Sequence, residues 1–268
     1  MSDFYSLSGA FGDLFKATKE KCPIHHKPMI EAPRVGKICP LCEKEKLDKA
    51  ENEMVKKIYD DNARKTLLRK SLIDDPETYS CTFSSYITKN DTIEGNLKQQ
   101  ARLIAGQYLK QPDAKFNTIL SGPPGVGKTH LAMAILNAVN DNAKPAQKCV
   151  FMNVVSLFMQ IRSSFDDSTS WWTEKNVERF LKDVNLVVID DLGSESAMSS
   201  GPRDATQFVQ TILYNITNSQ RRIIFTTNLT QTQLVKTYNS KVVSRILRGT
   251  KGHILNFNGI KDKRIGAF

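Results

Sequence analysis

The segment from Gly122 to Thr129 constrains the fold of this chain more than any other stretch. Its sequence, GPPGVGKT, fits the pattern G-x-x-x-x-G-K-[ST] of a phosphate-binding loop. Glycines let backbone N–H groups curve around a phosphate without interference from Cβ atoms. In such a loop Lys128 reaches the β- and γ-phosphates, and the hydroxyl of Thr129 is a ligand for Mg²⁺. The segment therefore predicts a site for a nucleoside triphosphate such as ATP.

The sequence on both sides of this loop has the context that such a site needs. Residues 118–121 are typical of a short buried strand, and the apolar residues after 129 are typical of a helix. A phosphate at the start of that helix is stabilised by the helix dipole. We expect nucleotide contacts from nine consecutive residues, which are Gly122, Pro123, Pro124, Gly125, Val126, Gly127, Lys128, Thr129 and His130.

Further apolar segments alternate with helical segments along the chain. This alternation predicts an α/β fold, in which a parallel sheet of five strands is flanked by helices on both faces. The predicted strands are residues 118–121, 148–153, 186–189, 222–228 and 254–257.

Polar residues follow two of the predicted strands. Asp190 closes an apolar run, as a Walker B aspartate does, and is expected to hold Mg²⁺ through its water shell. Asp191 is a candidate to polarise the water that attacks the γ-phosphate. Asn228 ends the next strand and is a candidate to orient that water. The alternative for each residue is a plain turn at a strand end, where Asp and Asn are common.

Two arginines near residue 245 are candidates for a role in a neighbouring subunit. In ATPases that form rings or filaments, an arginine from one subunit stabilises transition-state charge in the next site. We expect Arg245 to have this role, with Arg248 as the second choice, and the chain to self-associate. A surface arginine with no such role is the alternative.

Near the N-terminus, two pairs of potential metal ligands have the spacing of a zinc site. Cys22 and His25 form a C-x-x-H pair, and Cys39 and Cys42 form a C-x-x-C pair after thirteen intervening residues. Four such ligands complete the tetrahedral shell of a structural Zn²⁺. His26 is an alternative to His25. Two unrelated surface turns are the other interpretation.

Charge patterning suggests how the chain is divided. Acidic and basic residues alternate from Glu43 to about Ser71, which predicts a charged helix that ends near residues 74–76. We therefore expect a zinc module in residues 1–45, a charged helix and linker in residues 46–78, and an ATPase domain in residues 79–268.

The excess of positive charge lies near the C-terminus. Residues 236–268 carry 8 basic side chains and 1 acidic one, and the whole chain has a formal net charge of +10. Such a segment suggests a polyanion such as DNA as a partner, although a solvated basic end is the alternative. We expect Lys261, Lys263 and Arg264 to contact DNA or a partner rather than the nucleotide. The sequence shows no membrane-spanning run or signal peptide, so we expect a cytoplasmic protein.

Together these motifs resemble the DnaC/DnaI-type replicative helicase loaders of bacteria and their phages, which are AAA+ ATPases. The resemblance extends over about residues 82–257. The resemblance implies weak ATP hydrolysis, binding of single-stranded DNA, and an N-terminal module that binds a hexameric DnaB-type helicase. Only about two dozen residues follow Arg245, so we expect no helical lid domain. The segments that carry the resemblance are 122–132, 187–195, 226–228 and 244–246.

Three other functions are compatible with parts of the sequence. An IstB-type helper of a transposase shares the ATPase core, and a neighbouring transposase gene would favour it. A metabolic P-loop kinase fits less well, because of Arg245, the basic tail and the missing lid. A protein-binding module with a structural ATP is the third. The compact zinc module suits a loader encoded by a phage or a mobile element.

Overall fold

The computed structural model describes residues 16–197 and 206–263, so the predicted DNA-contacting residue Arg264 lies outside the described residues. The chain divides into two compact units, residues 1–59 and 60–268. In the described part of the chain, every helix is too short or too polar to cross a lipid bilayer.

The described part of the first unit contains a small antiparallel sheet and the start of a long helix. The strands pair in the order β1-β2-β3. The thirteen residues between the two ligand pairs leave room for a hairpin, and the antiparallel strands β2 and β3 lie there. These elements are β1 (Lys16–Lys21), β2 (Pro28–Ala32), β3 (Gly36–Ile38) and α1 (Pro40–Lys70).

The second unit is built on a parallel sheet of five strands, which confirms the predicted fold class. The strands lie in the order β5-β6-β7-β4-β8, so the strand before the phosphate loop has a neighbour on each side. They are β4 (Thr118–Ser121), β5 (Cys149–Asn153), β6 (Leu186–Leu192), β7 (Ile223–Thr227) and β8 (Ile254–Asn256).

Helices cover both faces of this sheet. Val187 and Ile189 point into one apolar cluster, and Leu186 and Val188 point into the other, because successive side chains of a strand alternate between faces. Burial on both faces explains why the strands are continuous apolar runs. The helices are α2 (Ile93–Lys110), α3 (Lys128–Asn142), α4 (Val154–Ser163), α5 (Glu174–Asp183), α6 (Ser194–Ala197), α7 (Gln207–Ser219), α8 (Gln231–Thr237) and α9 (Ser240–Ile246).

The long helix α1 ends a few residues before the segment 74–76 that was predicted to end it. It stops at Lys70, and the N–H of Leu72 then donates to the carbonyl of Phe151, while the N–H of Asn153 donates to the carbonyl of Leu72, both at 2.9 Å. The chain therefore leaves the helix in order to pair with β5 at the edge of the sheet. An unpaired edge strand leaves backbone groups open to other chains, and this contact covers part of it.

Candidate nucleotide site and metal cluster

The phosphate loop joins β4 to α3, as its sequence predicts. Gly127 is the N-cap of α3 and has a φ of 92°, in the left-handed region that favours glycine. A Cβ atom at this position would lie 2.8 Å from Cε2 of Tyr86, so the position also lacks space for a side chain. The first turn of α3 thus begins at Lys128 with its backbone N–H groups near the loop.

The loop borders a cavity of about 430 Å³ that collects most of the predicted catalytic residues. Lys128, Asp190, Asp191 and Asn228 all line this cavity, although 100 residues separate the first from the last. The other lining residues are Pro124, Gly125, Gly127, Thr129, Asn153, Thr226 and Lys263.

Asp190 is a buried carboxylate held by two hydroxyl groups. The hydroxyl of Thr226 donates to its Oδ1 at 2.6 Å, and the hydroxyl of Thr129 donates to the same atom at 3.0 Å. Burial raises the pKa of Asp190 to about 6, although both hydrogen bonds act in the opposite direction. A buried carboxylate of this kind gains from a nearby cation, because the cation offsets the cost of desolvation.

These oxygen atoms fit a magnesium ion. Mg²⁺ prefers oxygen ligands and keeps part of its water shell, binding one or two carboxylates together with substrate phosphates. The hydroxyl of Thr129 and the carboxylate of Asp190 are such ligands and lie side by side at the carboxyl end of β6.

Asn228 connects the loop lysine with the second aspartate. The Nζ atom of Lys128 donates to Oδ1 of Asn228 at 2.7 Å, and Nδ2 of Asn228 donates to Oδ1 of Asp191 at 3.1 Å. Lys128 also donates to the carbonyls of Gly122 and Pro123, at 2.9 Å and 2.6 Å. The three polar side chains therefore form one continuous hydrogen-bonded chain along the cavity wall.

The backbone at Asp191 is unusual. Its φ is 61°, and the pairing of β6 with β7 shifts register between Ile189 and Leu192. A left-handed conformation costs a non-glycine residue on the order of 1 kcal/mol or more. Thr226 helps to hold it, because its hydroxyl accepts a hydrogen bond of 2.8 Å from the N–H of Asp191. Irregular strands of this kind are frequent next to active sites, where they redirect side chains.

Five residues that were predicted for the nucleotide site do not line this cavity, namely Gly122, Pro123, Val126, His130 and Arg245. His130 is not among the side chains that line the cavity; its Nε2 lies 3.0 Å from the carbonyl of Thr82, and its ring contacts Tyr86 edge-on. Arg245 is also absent from the cavity wall. Its guanidinium lies 4.1 Å from the ring centroid of Tyr214 and donates to the Tyr214 hydroxyl at 3.0 Å.

A buried pair links the end of β6 to the helix that carries Arg245. Glu195 accepts a hydrogen bond of 2.8 Å from the N–H of Gly193 and another from the hydroxyl of Tyr238. Burial raises the pKa of this carboxyl. Tyr238 precedes Asn239, whose side chain caps the N-terminus of α9. The loop after Asp191 is thus tied to the start of α9.

In the first unit, the four predicted zinc ligands form one cluster. Their ligand atoms all lie within 4.8 Å of one another, and Nδ1 of His25 lies 3.8, 3.7 and 3.3 Å from the sulfur atoms of Cys22, Cys39 and Cys42. A tetrahedral zinc with bonds of about 2.0–2.3 Å places its ligands roughly 3.5–3.8 Å apart. The cluster therefore fits Zn²⁺, and it selects His25 over the exposed His26.

Several residues at these sites were not predicted from the sequence. The Oε1 atom of Glu45 lies 2.9 Å from Nε2 of His25, which is the usual partner arrangement for a metal-binding histidine. The signal available in the sequence was the position of Glu45 near the start of α1, close to the ligand Cys42. Thr226, whose hydroxyl hydrogen-bonds to both Asp190 and Asp191, lies in a segment that carries the resemblance but was assigned no role of its own. Lys263 lines the cavity, whereas the sequence predicted that it contacts DNA or a partner rather than the nucleotide.

Comparison with known proteins agrees with this geometry. Residues 83–252 match the family described as the bacterial DnaA ATPase domain. The replicative helicase loader DnaC of Escherichia coli K12 is 24% identical over 257 residues, which cover 95% of this chain and 97% of DnaC. The uncharacterized protein YdaV of the same strain is 29% identical over 185 residues, which cover 66% of each protein.

A solved structure supports the same fold. The crystal structure of the DnaC helicase loader superposes with a TM-score of 0.55 and 21% identity, covering 70% of this chain and all of that one. The predicted resemblance to helicase loaders of the DnaC type is therefore confirmed. Since the family match covers more than half of the residues, this chain belongs to the family of the bacterial DnaA ATPase domain.

Proposed function

We propose that this protein is an ATP-dependent loader of a replicative DnaB-type helicase onto DNA, acting in the cytoplasm of a bacterium or of a phage-infected cell. The observation that carries this proposal is the similarity to DnaC over 95% of this chain and 97% of that loader. The match extends beyond the ATPase domain, so it includes the N-terminal segment that holds the Cys/His cluster.

The proposed chemistry is slow hydrolysis of ATP to ADP and phosphate, stimulated by single-stranded DNA or the helicase. Lys128 binds the β- and γ-phosphates. Thr129 and Asp190 would hold Mg²⁺, which would supply positive charge beside those phosphates. Asp191 accepts the proton of the attacking water. Asn228 orients that water, since its amide already faces Asp191.

Arg245 is proposed to act in the site of a neighbouring subunit. It lies on α9 and takes no part in the cavity of its own chain among the described residues. Tyr214 holds its guanidinium in place from one face. A guanidinium that is already ordered stabilises transition-state charge with little entropy cost, so self-assembly into a ring or filament would complete the site. Arg248 remains the second choice.

The N-terminal part is proposed to bind the helicase. Cys22, His25, Cys39 and Cys42 would hold a structural Zn²⁺, because four protein ligands leave no open position for catalysis. We assign the zinc module to residues 1–45, the charged helix and linker to 46–78, and the ATPase domain to 79–268. Near the C-terminus, the basic residues Lys261 and Arg264 are proposed to contact single-stranded DNA.

Co-purification with the cognate DnaB-type helicase tests this proposal. The tagged protein is mixed with the helicase in the presence of ATP, ADP or no nucleotide, and the complex is measured by size-exclusion chromatography with light scattering. We expect a stable complex with ATP, and loss of that complex in a Cys39→Ser protein that still binds ATP. No complex under any nucleotide condition would refute a helicase loader.

A further inference from the structure

The chain after β8 forms a short strap beside the phosphate loop. We call residues 260–263 the C-terminal strap. It begins at Ile260, which is buried in the apolar cluster under the sheet, and whose N–H donates to the carbonyl of Phe257 at 3.3 Å. Phe257 in turn donates its N–H to the carbonyl of Ser121 at 2.7 Å, at the base of the loop. The strap is thus anchored to the strand that leads into the phosphate loop.

The strap then crosses the loop at Gly125. The N–H of Lys263 donates to the carbonyl of Gly125 at 3.1 Å. A Cβ atom at residue 125 would lie 1.8 Å from Oδ1 of Asp262, and the φ of Gly125 is 76°. Glycine at this position therefore serves the approach of the strap as well as the curvature of the loop.

The side chain of Lys263 points toward the nucleotide cavity. Its Nζ atom lies 4.1 Å from the ring centroid of Tyr86, within the range of a cation–π contact. Tyr86 is itself fixed, since it is buried and its hydroxyl donates to the carbonyl of Val126 at 3.5 Å. Lys263 lines the same cavity as Lys128. A second cation is therefore held beside the phosphate loop.

We propose that Lys263 is a nucleotide-binding residue whose ammonium group contacts the phosphate chain of the bound nucleotide. The inference rests on the assignment of the nucleotide site and is independent of the helicase. In the parts of the chain that the structure describes, this ammonium forms no ion pair. Desolvation lowers the pKa of Lys263, while Glu94 has a smaller opposite effect. The negative charge of a polyphosphate would favour the charged form of this ammonium group.

Nucleotide affinity of full-length variants tests this inference. ATP and ADP binding is measured by titration calorimetry with Mg²⁺ and without DNA, so that contacts with nucleic acid play no part. We expect Lys263→Ala to weaken ATP binding about tenfold, as for loss of one charged hydrogen bond. Lys263→Arg should retain most of the affinity. Lys251→Ala removes the same charge from an exposed turn and should bind as the wild type does.

The Lys263 and Lys128 variants distinguish a failure of this inference from a failure of the nucleotide-site assignment. If Lys263→Ala binds ATP as tightly as the wild type, or more tightly, the inference is wrong; tighter binding would mean that the strap competes with the nucleotide. Lys263→Gln, which keeps a polar side chain but removes the charge, must show the same weakening as Lys263→Ala. Lys128→Ala is measured in parallel, and wild-type affinity in that variant would refute the nucleotide site itself.

Discussion

The Nζ atom of Lys128 donates a hydrogen bond of 2.7 Å to Oδ1 of Asn228, 100 residues later in the chain. Because the amide oxygen faces the lysine, the amide nitrogen faces Asp191, to which it donates at 3.1 Å. The residue that is proposed to bind the phosphates and the residue that is proposed to accept the proton are therefore coupled through one amide group. We therefore expect the loss of this amide to affect the hydrolysis of ATP more than the binding of ATP.

Asn228→Ala should impair hydrolysis while ATP binding persists. The variant leaves Lys128 and the loop backbone in place but removes the group that orients Asp191 and the water. We expect the turnover number to fall on the order of a hundredfold, as for loss of one preorganised donor. Steady-state phosphate release and equilibrium ATP binding are the two measurements. Asn258→Ala, at an exposed position, is the control and should hydrolyse ATP as the wild type does. Full hydrolysis by Asn228→Ala would exclude the proposed role of Asn228.

Binding of Mg²⁺-ATP should depend on pH through Asp190. Burial raises its pKa to about 6, so the carboxyl loses its charge as the pH falls below that value. We expect affinity for Mg²⁺-ATP to be constant above pH 7 and to decrease below pH 6. Asp190→Asn should bind Mg²⁺-ATP weakly at every pH. A wild-type affinity that is equal at pH 5 and pH 7.5 would contradict this assignment.

The same raised pKa has an opposite effect on the protein without ligands. A carboxyl whose pKa is higher in the folded state favours folding at low pH, and this contribution is lost as the pH rises through about 6. Asp190→Asn mimics the neutral form. It should therefore raise the melting temperature at pH 7.5 more than at pH 5, measured without Mg²⁺ or nucleotide.

Arg245 and Asp191 should complement each other between subunits. Arg245→Ala and Asp191→Asn are each expected to lower hydrolysis by on the order of a hundredfold or more, because each removes one half of a shared site. Mixing the two variants at high protein concentration should restore part of the activity, since some neighbours then supply both intact residues. Arg248→Ala is the comparison variant. If mixing restores nothing, Arg245 does not act in a neighbouring subunit.

The Cys/His cluster should bind one zinc ion whose affinity depends on Glu45. Glu45→Gln is expected to weaken zinc binding about 10- to 100-fold, because the carboxylate orients the ring of His25. His25→Ala should lose the ion, whereas His26→Ala should retain it. Zinc content and competition with a chromophoric chelator measure both effects. Equal losses in the two histidine variants would contradict the assignment of His25.

The fold was predictable because its signals are local. The phosphate loop fixes a strand before it and a helix after it, and continuous apolar runs such as 186–189 identify strands that are buried on both faces. The spacing of the cysteines and His25 likewise predicted that these four side chains form one cluster. Asp190 and Asn228 could be placed together because parallel strands bring their carboxyl ends to one edge.

The remaining features depend on contacts between distant residues. No local pattern shows that Leu72 pairs with β5, or that Thr226 serves both aspartates. In the sequence, Lys263 is one of several charges in a basic segment. In the structure, the strap places its N–H against the carbonyl of Gly125, 138 positions earlier in the sequence. His130 follows the loop in sequence, but its ring turns away toward Thr82 and Tyr86.

A loading assay on circular single-stranded DNA tests the proposed function as a helicase loader most directly. The cognate helicase is incubated with the DNA coated by single-strand-binding protein, and the helicase retained on the circles is measured after gel filtration. The wild-type protein should transfer helicase to DNA only when ATP is present, and Lys128→Ala and Arg245→Ala should transfer little. Equal helicase on the circles with and without this protein would contradict its proposed function as a loader.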